Sequence, residues 1–287
     1  MIKLSAPAKI NLTLEVLARR EDGYHEIASI MHTLSLHDTL ILTPVAAPAK
    51  RICIEVEGFD VPTDERNLVW RALETVGALA GEVGRSDYEG WWVRLIKRIP
   101  TEAGLGGGSS DAAAILRHFC LPPEAAFQLG ADVPFFLNGA CARVDGRGEL
   151  VKPLPALPPF WWVLAKPMEV GVSTAWAYAQ FECPPIESAK PPHRTNWLEQ
   201  AIREGTLHTP GDLVPLLHND FEAVVLPVFE PLRRLRTRME QLGALRVLLC
   251  GSGAAQAALC PSQTVAKQMA EALRTDGYWA EAVQLGL

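Results

Sequence analysis

Residues 100–117 read Pro-Thr-Glu-Ala-Gly-Leu-Gly-Gly-Gly-Ser-Ser-Asp-Ala-Ala-Ala-Ile-Leu-Arg, with glycine at 104, 106, 107 and 108. Glycine costs roughly 0.5–1 kcal/mol per residue relative to alanine in regular structure, so a cluster this dense needs a function. Ala112–Leu116 is a helix-forming run, which puts the glycines and Ser109-Ser110 at the entry to a helix. The first turn of a helix exposes N–H groups that have no intrahelical acceptor and carry the positive end of the peptide dipoles. Backbone stripped of side chains can press close to a polyanion there, so the stretch reads as a phosphate-holding loop. It is not of the Walker type, because Ser109-Ser110 stand where that pattern needs Lys followed by Ser or Thr, and the Rossmann spacing is absent. The alternative is a glycine-rich turn that closes a helix–strand packing contact.

Any anion site must be local, because the 287 residues carry a net charge of −6, which argues against a nucleic-acid or anionic-membrane partner. A hydrophobic content of 48% is enough to fill the cores of two domains. Cys53, Cys120, Cys141, Cys183, Cys250 and Cys260 form no Cys-x-x-Cys pair and have no His at metal-ligand spacing, so no metal site is expected. They read as buried thiols in a reducing compartment. No apolar run reaches the length of a membrane span or forms a secretory signal core, and a cytoplasmic location is expected.

Ala8–Val16 alternates as a half-buried strand, with one face core and the other carrying Lys9, Asn11, Thr13 and Glu15. Lys9 is then either a charge held on a rigid element or a solvated lysine. Arg19–His25 is a turn reversed at Asp22-Gly23, leaving Tyr24 and His25 at its exit. Extended structure is expected over Ile27–Leu42 and Arg51–Gly58, a helix over Asn67–Ala80, and a strand over Gly90–Ile99 that delivers the chain to the glycines. A helix over Glu124–Leu129 stops at Gly130-Ala-Asp132-Val-Pro134 and fixes Asp132 at a corner. Strands are expected at Phe135–Arg143 and Glu149–Leu154, and the proline-rich Pro153–Pro159 is a candidate domain boundary. Further on come a strand (Phe160–Ala165), a helix capped by Ser173 or Thr174 (Ser173–Gln180), and helices over Asn196–Glu204, Leu213–Val225 and Pro227–Leu242. A strand (Leu245–Leu249) enters Gly251-Ser-Gly253, followed by another strand, a helix (Gln263–Leu273) and a last strand (Trp279–Val283). Gly251-Ser-Gly253 is half a dinucleotide fingerprint with Gln256 in place of the third glycine, so it is either a loop that approaches a ligand or a plain tight turn.

Pro7-Ala-Lys-Ile-Asn11, Pro100–Ser110 and Gly251-Ser-Gly253, in that order, resemble the GHMP kinases, small-molecule phosphotransferases whose glycine loop holds the ATP phosphates. Asp22-Gly-Tyr-His25 and Leu129-Gly-Ala-Asp-Val-Pro-Phe-Phe136 look like the branch acting on a cytidyl methylerythritol in the non-mevalonate route to isoprenoids. The resemblance implies an α+β, two-domain GHMP kinase fold. Residues 1–155 would be the nucleotide-binding domain, like domain 2 of ribosomal protein S5, and residues 160–287 a ferredoxin-like domain, with the substrate cleft between them. It also implies a kinase acting on the substrate's 2-hydroxyl, ATP and Mg²⁺ as cofactors, only small molecules as substrates, and a monomer or weak homodimer.

Residue by residue, Asp132 stands where the family has its catalytic base and Lys9 where it has the neighbouring lysine. Tyr24 and Tyr178 match positions that sandwich the cytosine ring, His25 the one that bonds its edge, and Asn11 lies on the substrate side. Asn67 and Lys97 match residues around the adenosine. Pro100, Thr101, Glu102, Ala103, Gly104, Leu105, Gly106, Gly107, Gly108, Ser109 and Ser110 match the nucleotide loop. The segment between Asp111 and Asp132 is shorter than is usual in the family, with Pro122-Pro123 in place of part of a helix. Asp111, where the family often has Asn, is expected as an exposed carboxylate favoured by the helix dipole. Two other functions stay open. A kinase of the same fold acting on mevalonate, homoserine or a sugar would have no nucleobase for Tyr24 and His25. A non-catalytic nucleotide-binding regulator would have no use for Lys9 with Asp132.

Overall fold

Two strands far longer than the usual five or six residues open the chain, β1 (Ile2–Arg19) and β2 (His25–Pro44). The computed structural model describes residues 1–45, 52–82, 90–121, 123–189 and 191–286, so Arg51 and Pro122 lie outside the described residues. Contacts divide the chain into two units interleaved in sequence. Met1–Ala8, Leu36–Thr101 and Gly106–Leu137 make the first, and Lys9–Ser35, Glu102–Leu105 and Asn138–Leu287 the second.

In the first unit β3 (Ile52–Gly58) leads through α1 (Leu68–Glu82) to β4 (Trp91–Lys97), which lies parallel beside it from Ile52↔Trp91 to Gly58↔Lys97. The later part of β2 pairs antiparallel with β4, from Thr39↔Ile96 to Pro44↔Trp91. Trp91 serves strand packing: it is buried, with its ring edge-on to Phe119 at 5.5 Å. Then follow α2 (Gly107–His118), α3 (Pro123–Leu129) and α4 (Val133–Leu137). Every residue of α2 from Ser110 to Leu116 is buried, and its alanines let α1 and α4 pack closely against it. Phe135 and Phe136 belong to α4 and not to the expected strand. A short apolar run does not distinguish the two periods, and Pro134 sits in the first helical turn, where its missing N–H costs nothing.

In the second unit β1 and β2 form a hairpin closed at Asp22-Gly23, where Gly23 has φ +85°. The first part of β2 pairs with β5 (Cys141–Gly146), and β5 with β6 (Leu150–Pro153). Next come β7 (Trp161–Lys166), α5 (Thr174–Ala179), α6 (His193–Glu204), α7 (Pro210–Leu213), β8 (His218–Asn219) and α8 (Phe221–Val225). The chain finishes with α9 (Glu230–Gln241), β9 (Arg246–Leu249), β10 (Gln256–Leu259), α10 (Gln263–Thr275) and β11 (Trp279–Gln284). The antiparallel order β11-β7-β10-β9, with α9 and α10 burying Leu235, Met239, Met269 and Leu273 against Val163, Val247 and Ala258, is ferredoxin-like.

The single helix expected over Leu213–Val225 is broken. Pro215 lacks the N–H a helix interior needs, and the chain passes through a 3₁₀ turn (Val214–Leu216) into β8, which pairs parallel with β1 at Thr13↔His218 and Leu14↔Asn219. Cys141, Cys250 and Cys260 are buried as expected, whereas Cys53 and Cys120 are exposed because they lie on the outward side of β3 and past the end of α2. No helix among the described residues is long and apolar enough to cross a membrane.

Of the two capping candidates for α5, Ser173 takes the role, its Oγ accepting the Trp176 N–H at 3.3 Å. Ser173→Ala is expected to cost about 1 kcal/mol in a thermal melt. An unchanged melt would show the cap to be idle.

Candidate active site

The helix expected from Ala112 starts five residues earlier, because Gly107 and Gly108 are its first residues and Gly106, at φ +71°, is its N-cap. No side chain caps this end. The first N–H groups of α2 therefore lack both an intrahelical acceptor and a capping oxygen, the requirement for an anion cradle. The preceding stretch is anchored by Ala103 and Leu105, both buried, while Thr101 and Glu102 are exposed.

Asp111 is not the exposed carboxylate expected. It is 2% exposed, and its Oδ2 accepts from Lys97 Nζ at 2.7 Å; the same ammonium also donates to Asp38 Oδ2. α2 is buried all round from Ser110 to Leu116, so a residue in its second turn has nowhere to face but other side chains. Burial pulls the Lys97 pKa down, and the Asp111 and Asp38 carboxylates more than offset it, so the ammonium ends above its ordinary value. Asn67 caps α1: its Oδ1 accepts the Val69 N–H at 2.9 Å, and its Nδ2 donates to the Pro62 carbonyl at 2.7 Å. Asp132 is half-buried at the corner immediately before α4, as the Gly-x-Asp-x-Pro sequence suggested.

In the second unit the polar face of β1 is buried, not solvated. Lys9 is 3% exposed, Asn11 and Thr13 are 0%, and Glu15 is 9%. Each is satisfied inside the protein. Lys9 Nζ donates to Asn11 Oδ1 at 2.7 Å, and Asn11 Nδ2 donates to Ser29 Oγ at 2.9 Å. Ser29 Oγ donates to the Thr13 carbonyl at 2.6 Å. Glu15 accepts the Arg194 and Thr195 N–H groups at 3.2 and 2.7 Å, capping α6 from another strand where Pro192 offers no side-chain cap. A lysine held this way presents its charge in one place.

The two small-residue loops meet within this unit. A Cβ at Gly104 would lie 1.8 Å from the Cys250 carbonyl oxygen, and one at Gly251 would lie 3.6 Å from Lys9 Nζ. The Ala254 and Ala255 N–H groups donate to the Glu102 and Ala103 carbonyls, and the Lys9 N–H to that of Leu105. Gly251-Ser-Gly253 is thus the backing of the Gly104 turn and of Lys9. Asn219 holds it there, Nδ2 donating to the Leu249 and Gly251 carbonyls at 2.8 Å each.

His25 and Tyr178 are brought together, their rings stacked at 5.1 Å and 18°. Phe221 lies edge-on to Tyr178 at 4.9 Å. Burial, with a smaller push from the Arg19 charge, holds the His25 pKa below its ordinary value, so the imidazole is neutral at neutral pH. Its Nε2 is buried and has no hydrogen-bond partner. Tyr24 is 61% exposed, with the Arg147 guanidinium 5.1 Å over its ring.

Sequence patterns passed over Ser29, Asp38 and Asn219. Ser29 is a polar residue inside the apolar run Ile27–Met31, a signal the sequence offers, whereas Asp38 and Asn219 have polar neighbours in sequence and carry no such mark.

Family models match two segments, the GHMP kinases N-terminal domain over residues 67–139 and the GHMP kinases C-terminal domain over residues 198–278. A Pelotomaculum thermopropionicum protein named 4-diphosphocytidyl-2-C-methyl-D-erythritol kinase is 38% identical over 96% of this chain and 94% of its own length. A Geobacter sulfurreducens protein of the same name is 33% identical over 99% and 98%. A crystal structure of 4-(cytidine 5'-diphospho)-2C-methyl-D-erythritol kinase aligns over 100% of both chains at 36% identity and a TM-score of 0.76. A mevalonate kinase crystal structure shares the fold at 12% identity and a TM-score of 0.66, covering 99% of both chains.

Proposed function

The chain belongs to the 4-diphosphocytidyl-2-C-methyl-D-erythritol kinase family of GHMP kinases, and we propose that it transfers the γ-phosphoryl group of ATP to the 2-hydroxyl of that cytidyl substrate, a step of non-mevalonate isoprenoid synthesis. The two family models fall either side of residues 155–160, which supports the proposed division into an N-terminal nucleotide-binding domain (1–155) and a C-terminal domain (160–287).

Phosphoryl transfer asks a protein for alignment and for positive charge where negative charge gathers. In the proposed reaction the uncapped N–H groups at the start of α2 hold the nucleotide phosphates, and Lys9, fixed through Asn11, stabilises the phosphoryl group in flight. The substrate oxygen forms its bond to the γ-phosphorus as the bond to the ADP oxygen breaks, and the hydroxyl proton passes to the Asp132 carboxylate. Asn67 and Lys97 border the adenosine. Among the described residues no three His, Cys, Asp or Glu side chains cluster as metal ligands, and the cradle's donors are N–H groups, so the residues present fit a Mg²⁺ carried by the phosphates themselves. That ion would supply charge to the leaving group.

The observation that carries the substrate assignment is the buried, partnerless Nε2 of a neutral His25 stacked on Tyr178. An imidazole nitrogen suits the donor–acceptor edge of cytosine, and leaving it without a partner costs stability. Mevalonate, homoserine and sugars offer no such edge. His25→Ala is expected to raise KM for the cytidyl substrate about 10–100-fold, from the loss of one buried hydrogen bond, with KM for ATP unchanged. Equal effects on both substrates, or on neither, would remove the assignment.

A further inference from the structure

We propose that Asp111 is a positioning residue for the nucleotide: with Lys97 and Asp38 it braces the start of α2, and the charge on that brace sets how tightly the helix start holds a polyanion. The inference deepens the kinase proposal and rests on it.

Asp38 stands in β2, Lys97 at the end of β4 and Asp111 in α2, and their side chains are 0%, 3% and 2% exposed. One ammonium ties them together. Asp38 Oδ1 accepts the Arg98 and Ile99 N–H groups at 2.6 and 2.9 Å, which fixes the chain leaving β4. A Cβ at Gly107 would lie only 3.2 Å from Lys97 Nζ and 3.0 Å from Ile99 Cγ2, so the first residue of the helix rests on the brace itself. A shift of the ammonium is therefore a shift of the cradle.

Two carboxylates and one ammonium leave one negative charge, buried beside backbone N–H groups suited to a polyanion. Asp111 Oδ1 is buried and has no hydrogen-bond partner to offset that charge. Burial and the neighbouring Asp38 carboxyl outweigh the pull of Lys97 and push the Asp111 carboxyl up to about 7. Lys97 and Asp38 are the charges that act on it. Of the elements packed on α2, α1 presents Arg71 and Glu74 and α3 presents Glu124, all exposed, and α4 carries no charge; Asp132 precedes α4, and Arg117 and His118 lie in the last turn of α2. Below about pH 7 the brace is neutral, and above it one negative charge faces the phosphates. Nucleotide affinity should then weaken as pH rises.

The test is titration calorimetry of Mg·ATP into the full chain near pH 6 and near pH 8.5, for the wild type and for Asp111→Asn, whose amide fills the same space and does not titrate. Dividing the two dissociation constants cancels the titration of ATP itself. The wild-type to Asp111→Asn ratio is expected to rise about tenfold between the two pH values, the scale of one charge felt across a partly buried site. Asp38→Asn, whose Oδ1 can still accept the Arg98 and Ile99 N–H groups, carries the same expectation and serves if the first variant does not fold. A melt gives a second readout. A carboxyl raised from 3.8 to about 7 in the folded state contributes stability that is fully present below the lower value and lost as pH rises to the upper one, so the wild-type Tm should fall relative to Asp111→Asn between them and level off above about 7. A dissociation-constant ratio that does not change with pH in protein that binds ATP overturns the brace alone. Absence of ATP binding at both pH values overturns the kinase proposal, and the brace with it.

Discussion

Asp132→Asn should lose about 10²- to 10⁴-fold in kcat, the usual contribution of a positioned proton acceptor, while ATP binds as before. Asp132 sits at a corner set by Gly130 and Pro134, directly ahead of α4. Asparagine matches aspartate in size and shape, so the exchange removes the charge and the proton-accepting oxygen while the corner can keep its backbone course. Single-turnover phosphoryl transfer is the readout, with ATP affinity measured separately. An affinity within about twofold of wild type would place the loss in the chemical step. Turnover close to wild type would mean that Asp132 takes no proton, and the carboxylate would revert to a feature of the helix start.

Gly104→Ala should destabilise the protein by about 2–5 kcal/mol, combining left-handed strain of about 1–2 kcal/mol with overpacking of about 1–3 kcal/mol. Gly104 has φ +70°, and its added Cβ would lie 1.8 Å from the Cys250 carbonyl oxygen and 2.6 Å from the carbonyl carbon. Those are backbone atoms pinned by Asn219 through the flanking Leu249 and Gly251 carbonyls, so they cannot swing aside like the end of a long side chain. Gly23→Ala separates the two causes: with φ +85° and nothing within 4 Å it adds strain without a clash. At about 2–4 °C per kcal/mol for a chain of this size, the Gly104 variant should melt well below the Gly23 variant. Equal melts would mean that the two loops do not press on each other.

The residues of both loops were legible because glycine at such density has few structural uses, and because strand and helix periods are explicit over most of the chain. The ferredoxin-like character of the sheet made by β7, β9, β10 and β11 was implied by the resemblance to the family. What stayed hidden depends on which polar groups find each other in space. Asp111 reads as a favourable helix-start charge until β2 and β4 bring Asp38 and Lys97 to it. The polar face of β1 has the alternation of a half-exposed strand, yet Ser29 and the N-terminus of α6 cover it. Leu213–Val225 has helical spacing, and only Pro215 and the demand of Asn219 for carbonyls at the Gly251 loop break it. His25 and Tyr178 are 153 positions apart, from 178 − 25, and no local pattern shows that they stack.

The central claim is that this protein phosphorylates an alcohol recognised through its cytosine. ADP release should be measured under identical conditions with 4-diphosphocytidyl-2-C-methyl-D-erythritol, mevalonate, homoserine and galactose as acceptors. The expected result is turnover with the cytidyl compound at least about 10³-fold above the other three, as befits a site built to bond a group they lack. Comparable or greater turnover with any acceptor that has no nucleobase would contradict it.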